Sequence, residues 1–247
     1  MDKKKQQGIF QMANLLKKNG VLDGVQQFWS HEPGEDKHYK QPVVLRTTPV
    51  TWAIPFDEVC FSKAWKSQFM MRAMPWDAAM FCEHTYLAEA RKTIHNQFIA
   101  SHPTDWMLML DSDVACPPDY IVRLLEHHKA DPSRKCLAGW YRVKSEPFYP
   151  VVYNFKGDKN TTRNVPVSWW QHLEVSDMQG TELMEVDGAG AGAWLVHWDV
   201  LNKIGPDPFD MHSGGEDLQL CRLITEAGYK MFIDPTLKLA HVGVGVA

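Results

Sequence analysis

Residues Trp106–Leu110 form an unbroken apolar run that is followed at once by Asp111-Ser112-Asp113. The run is too short to be a helix of its own. Apolar side chains at every position need burial on both faces, the condition of a strand inside a parallel sheet with helices on either side. The abrupt change to acids then falls at the C-terminal end of that strand, the edge where open α/β sheets bind ligands. Side chains alternate along an extended chain, so Asp111 and Asp113 are expected on one side and Ser112 on the other. Two carboxylates placed together repel, and both lose hydration. A divalent cation relieves both costs and can hold a diphosphate at its remaining positions. The competing reading makes the pair a loop or capping feature of the helix after Pro118.

The flanking sequence supports an α/β architecture. Val50–Ile54 reads as a strand ending at Pro55, and 61–74 as a helix closed by Pro75. A second helix over 86–100 places Leu87, Ala90, Ile94 and Phe98 on one face. Pro117-Pro118 opens a third, over 119–128, and Cys136–Tyr141 is again strand-like. This alternation argues for an open sheet with right-handed crossovers. Further strands are expected at 151–155, 167–173, 183–186, 193–197, 231–233 and 237–241, with helices at 198–204 and 216–227. Residues 1–45 carry two weak helical patterns, 9–16 and 21–29, and a polar stretch around Pro33-Gly34. They are expected to form a helical extension and linker ahead of a catalytic domain over 46–247.

Composition narrows the classes of function. The 247 residues are 45% hydrophobic and 23% charged, as in a globular protein. A net charge of −4 gives nothing that attracts nucleic acid or an anionic membrane globally. No apolar stretch reaches the roughly 20 residues of a membrane span. The polar start, Met1-Asp2-Lys3-Lys4-Lys5, lacks the apolar core of a secretory signal. Five scattered cysteines without a C-x-x-C pair fit reduced, buried thiols, so a cytoplasmic location is expected.

Three more constellations could carry chemistry. Gly214-Gly215-Glu216-Asp217 opens a helix. The glycines allow a ligand to approach the backbone, and a carboxylate aimed into a cleft could act as general base. Acids in a first turn also simply complement the helix dipole. His241, in step with Leu237 and Leu239, is either a core histidine or a third metal ligand. The glycine run Gly188–Gly192 lacks a glycine at Ala193 and precedes a strand, so it is not a dinucleotide loop. Gly190 is expected to clear space beside a sugar or acceptor. Of the paired Trp169 and Trp170 one should be exposed, and Trp170 is a candidate sugar-stacking face.

Taken in order, these residues resemble a family. The strand ending in Asp111-Ser112-Asp113 looks like the DxD motif of GT-A-fold glycosyltransferases. The segments around Leu137–Arg142, Glu185–Gly190, Gly215–Leu218 and Asp234-Pro235, closing on His241-Val242-Gly243, are similar to small bacterial and phage nucleotide-sugar transferases. The likeness covers about residues 48–243. It implies a GT-A-like, mostly parallel sheet flanked by helices, a nucleotide-diphosphate-sugar donor, and Mn2+ or Mg2+. It further implies Asp113 as direct metal ligand, Asp111 on metal or ribose, and His241 as closing ligand. Asp217 or Glu216 would be the base, and Arg91, Ser112 and Pro55 would contact the donor, with Gly190, Trp170 and Gly215 near sugar or acceptor. The acceptor could be a glycan, a protein, a small molecule or a modified DNA base. Two other readings stand beside it. One is a haloacid-dehalogenase-like phosphatase, whose D-x-D-x-[TV] motif is present as Asp111-Ser112-Asp113-Val114. The other is a nucleotide-sugar-binding protein without turnover.

Overall fold

The computed structural model describes residues 46–56, 62–71, 73–83, 86–158, 165–209 and 215–242. The N-terminal helices and linker expected over 1–45 lie outside them. The elements below all belong to the unit spanning Pro49–Ala247.

The core is a seven-stranded sheet. Its strands are β1 (Thr51–Phe56), β2 (Ala78–Glu83), β3 (Trp106–Leu110), β5 (Cys136–Trp140), β8 (Met184–Val186), β10 (Ala193–His197) and β11 (Met231–Lys238). They run in the order β2-β1-β3-β10-β5-β11-β8. β1 is parallel to both β2 and β3, and β11 is parallel to β5. β10 runs antiparallel between β3 and β5, and β8 runs antiparallel at the far edge. The sheet is therefore mostly parallel. Five helices flank it: α1 (Ser62–Met70), α2 (Leu87–Ser101), α3 (Tyr120–Ala130), α4 (Trp198–Ile204) and α5 (Glu216–Glu226).

β3 behaves as a strand covered on both faces must. Its five residues are all buried. Met107 and Met109 join one core cluster with Ile94 and Phe98 of α2 and Leu220 and Ile224 of α5. Trp106, Leu108 and Leu110 join the other, with Tyr120, Ile121 and Leu124 of α3. The Tyr120 hydroxyl ties that helix to the sheet, accepting from the Gly139 N–H at 2.8 Å and donating to the Ala193 carbonyl at 2.6 Å.

Two small ribbons complete the sheet's C-terminal edge. β4 (Val114–Ala115) pairs with β12 (Ala240–His241), and β6 (Val152–Phe155) pairs with β7 (Trp170–His172) and with β9 (Gly188–Ala189). The first brings the end of the described chain against Asp113.

Several expectations need correction. The two closing strands expected at 231–233 and 237–241 are one long strand, irregular between Ile233 and Lys238, followed by β12. The strand expected at 167–173 begins as a 3-10 turn over Val167–Trp169. β2 escapes sequence analysis because it is an edge strand with Met80 alone fully buried, so it shows no apolar run. Of the His127-His128 pair at the end of α3, both part-buried, His127 lies with Nε2 3.0 Å from Asp234 Oδ2.

Leu108 is fully buried at the centre of β3. Leu108→Ala should cost about 2–5 kcal/mol of unfolding free energy, measured by urea denaturation with an unchanged m-value.

Candidate active site

The site assembles where β3 ends. Past Leu110 the extended backbone gives way to a turn over Ser112 and Asp113, closed by the Val114 N–H on the Asp111 carbonyl at 3.3 Å. The turn breaks the alternation expected of a strand, and the two aspartates find different partners. Asp111 is anchored by its backbone N–H to the Gly192 carbonyl at 2.9 Å, and its own carbonyl accepts from Gln68 Nε2 of α1 at 3.0 Å. Ser112, between them, is part-exposed.

Arg91 of α2 reaches this edge from beneath. Its Nη2 donates to Asp111 Oδ1 and Oδ2 at 2.7 and 2.8 Å, and its Nη1 donates to Glu216 Oε1 at 2.7 Å. The Arg91 side chain is 4% exposed. Desolvation alone would weaken its charge. Asp111, Asp217 and Glu216 outweigh that and hold it firmly protonated. Arg91 and Asp111, both expected at the donor, are paired with each other, and Arg91 ties the β3 edge to the start of α5.

Asp217 sits beside Glu216 in the first turn of α5. Gly215 caps that helix at φ 151°, a backbone conformation that side-chain-bearing residues rarely adopt. Asp217 Oδ1 accepts from the Leu218 N–H at 3.0 Å. Desolvation, larger than the opposing pull of Arg91, raises its pKa, and the nearby Glu216 and Asp111 carboxylates add to the rise. Tyr141 and Tyr153 both feel this carboxylate, and burial pushes each phenol upward.

Asp113 faces the other way. Its Oδ2 accepts from Lys144 Nζ at 2.6 Å and lies 3.5 Å from His241 Nε2, while its Oδ1 is buried with no hydrogen-bond partner among the described residues. Desolvation would raise the Asp113 pKa, but the His241 and Lys144 contacts overcome it and the net shift is downward. The β4–β12 ribbon sets this geometry: His241 pairs with Val114, and the Val242 N–H donates to the Asp113 carbonyl at 2.7 Å. His241 Nδ1 lies 2.8 Å from the Arg142 carbonyl. A carbonyl only accepts, so Nδ1 carries the hydrogen and Nε2 is the nitrogen turned to Asp113. A ring held through its Nδ1–H by a backbone carbonyl leaves Nε2 as the nitrogen that could ligate a metal.

Those residues fit a dication in part. Among the described residues no three His, Cys, Asp or Glu side chains form a ready-made cage. Asp113, with an oxygen unsatisfied among the described residues, and His241 are two residues that could hold a dication. Asp111, expected as a further ligand, is engaged by Arg91. A two-ligand site suits a hard dication that takes its other positions from water and phosphate oxygens.

Other expected contacts also move. A Cβ on Gly190 would collide with the Tyr141 hydroxyl and with Val151 Cγ1 at 2.6 Å. One on Gly192 would lie 2.6 Å from that hydroxyl and 2.8 Å from Asp111 Oδ2. These glycines leave room for the Tyr141 ring. Trp170 is 7% exposed and packs on Phe155 at 4.9 Å between centroids, so it is a core residue; Trp169 is the less buried of the two. Pro55 is buried near the end of β1, beyond the Thr51–Ala53 stretch that pairs with β3, where its missing N–H costs no ladder bond there. Lys144, Tyr141 and Gln68 went unnoticed in the sequence, because nothing local marks a residue that meets the site only through tertiary structure.

The chain's likeness to solved structures agrees with this layout. It matches A197 from STIV with a TM-score of 0.52 at 16% identity, covering 81% of this chain and 96% of that one. It matches GalNAc-T7, solved with UDP, GalNAc and Mn2+, with a TM-score of 0.54 at 13% identity, covering 79% of this chain. The fold is GT-A-like. At these identities the likeness speaks for the fold alone, and the chain spans 44% of the GalNAc-T7 chain. No protein-family model and no curated protein matches the sequence. Among the described residues of this GT-A-like fold, no helix is long and apolar enough to cross a membrane.

The raised pKa of Asp217 has a consequence for stability. The folded state binds that proton more tightly than the unfolded chain, so stability falls as pH rises from the ordinary value of 3.8 through the raised one. Asn keeps the oxygen that accepts from Leu218 and carries no charge. Asp217→Asn should therefore melt above wild type at pH 7, with the gain shrinking toward pH 4 in a thermal-shift series.

Proposed function

We propose that the chain is a metal-dependent glycosyltransferase, moving a sugar from a nucleotide-diphosphate-sugar donor to a hydroxyl-bearing acceptor. The observation that carries this reading is the Asp113–His241 pair, with its unsatisfied carboxylate oxygen and its ring fixed through Nδ1, at the C-terminal edge of a GT-A-like sheet. The Mn2+ and UDP in the GalNAc-T7 structure support it by analogy of fold.

In this reading Asp113 Oδ1 and His241 Nε2 hold Mn2+ or Mg2+. When bound, the dication offsets the charge that develops on the departing nucleoside diphosphate. Asp111 keeps the turn in place through Arg91 rather than touching the metal. Glu216 is committed to the same arginine, which leaves Asp217 as the carboxylate suited to take the acceptor's proton. A pKa raised by desolvation brings Asp217 closer to the working pH, where a general base is most effective.

The phosphatase reading loses ground on two observations. Asp111, its nucleophile, has both oxygens occupied by Arg91, and β3 follows two earlier strands of the sheet rather than starting it.

The test is donor hydrolysis with UDP- and GDP-sugars in the presence of Mn2+. Asp113→Ala should abolish metal-dependent turnover while circular dichroism stays native, and retention of full activity would remove Asp113 from the metal site. Asp217→Asn should lower kcat by about 10²–10⁴-fold and leave donor KM within a few-fold. An unchanged kcat would take Asp217 out of the base role.

A further inference from the structure

Lys144 is not part of the reading above, yet among the described residues it makes the shortest ion pair with Asp113. Its ammonium is 2.6 Å from Asp113 Oδ2, the same oxygen that His241 Nε2 faces at 3.5 Å. The lysine stands on a hairpin arm that leaves the end of β5. That arm is held by the Val143 N–H on the Tyr149 carbonyl at 3.0 Å and the Phe148 N–H on the Ser145 carbonyl at 2.9 Å. The backbone of Lys144 is thus fixed, whereas its side chain is 41% exposed on a flexible four-carbon stem.

Electrostatics sets the two cations against each other. A carboxylate with a buried oxygen unsatisfied among the described residues needs positive charge nearby, and the ammonium supplies it. A dication on the same carboxylate would repel the ammonium and weaken its hold on Asp113. The lysine keeps its tether, and a diphosphate carried on the dication would be a strong negative partner within its reach.

We propose that Lys144 is a built-in counter-cation: it neutralises Asp113 while the site lacks metal, yields that carboxylate to the incoming dication, and then pairs with the donor's diphosphate. This rests on the assignment of Asp113 and His241 as dication ligands. Lys144 thereby couples the two binding events. It opposes metal alone and favours metal together with diphosphate.

The experiment is Mn2+ titration of the full chain followed by electron paramagnetic resonance, with and without UDP, on wild type, Lys144→Ala, Lys144→Arg and Asp113→Ala. Without UDP, Lys144→Ala should bind Mn2+ about tenfold tighter than wild type, because the competing ammonium is gone. At saturating Mn2+ it should bind UDP about tenfold more weakly. Lys144→Arg, which keeps the charge, should move each affinity less than Lys144→Ala does. Equal Mn2+ and UDP affinities in wild type and Lys144→Ala would overturn the role of Lys144 while leaving the metal site standing. Wild-type Mn2+ affinity in Asp113→Ala, or no Mn2+ binding by wild type and Lys144→Ala alike, would overturn the metal assignment and the coupling with it.

Discussion

The edge of this sheet is organised by one buried cation. Arg91 places a nearly inaccessible guanidinium between Asp111 at the end of β3 and Glu216 at the start of α5. Three carboxylates, Asp111, Glu216 and Asp217, converge there, and without the arginine their mutual repulsion would spread the edge apart. A buried ion pair adds little net stability, because desolvation offsets most of the attraction. Its value lies in fixing which elements meet. Here it registers a helix from the first half of the chain, the central strand and a helix from the last third against one another. The unsatisfied Arg91 Nε shows that even this network is incomplete within the described residues.

The arginine divides labour within a motif whose two acids look equivalent on paper. Asp111 is consumed by structure: its backbone grips β10, its carbonyl holds α1, and its carboxylate holds Arg91. Asp113 lies beyond the turn and meets Lys144 and His241 instead. The β4–β12 ribbon adds His241 from a position 128 residues further along the chain. Tyr141 separates the two halves of the site, with its ring against His241 at 4.9 Å and its hydroxyl accepting from the Gly192 N–H at 3.1 Å. The glycines at 190 and 192 are therefore small because a tyrosine fills the space beside them.

The charges also have an order. Arg91 is buried and permanent, Asp217 is desolvated and reluctant to ionise, and Lys144 is exposed and exchangeable. Charge at this edge of a GT-A-like sheet thus grades from protein-enclosed to solvent-exposed.

The amino-acid sequence by itself determined the elements whose signal is local. The pentad Trp106–Leu110 could only be a strand covered twice, since every position is apolar, and Met107 and Leu108 do enter opposite cores. The helix carrying Arg91 and the acid-led helix at Glu216 were legible from their apolar spacing, and so was the end of β3, where acids follow the apolar run at once. Tertiary structure alone decided the pairings. Which aspartate met the arginine, that Lys144 met Asp113, that Trp170 went inside and that Tyr141 filled the glycine gap all depend on the order of strands in the sheet. Periodicity is written over a few neighbouring residues. The partner of a charge is chosen across the whole chain, and a turn of two residues after Leu110 was enough to send two like carboxylates to different fates.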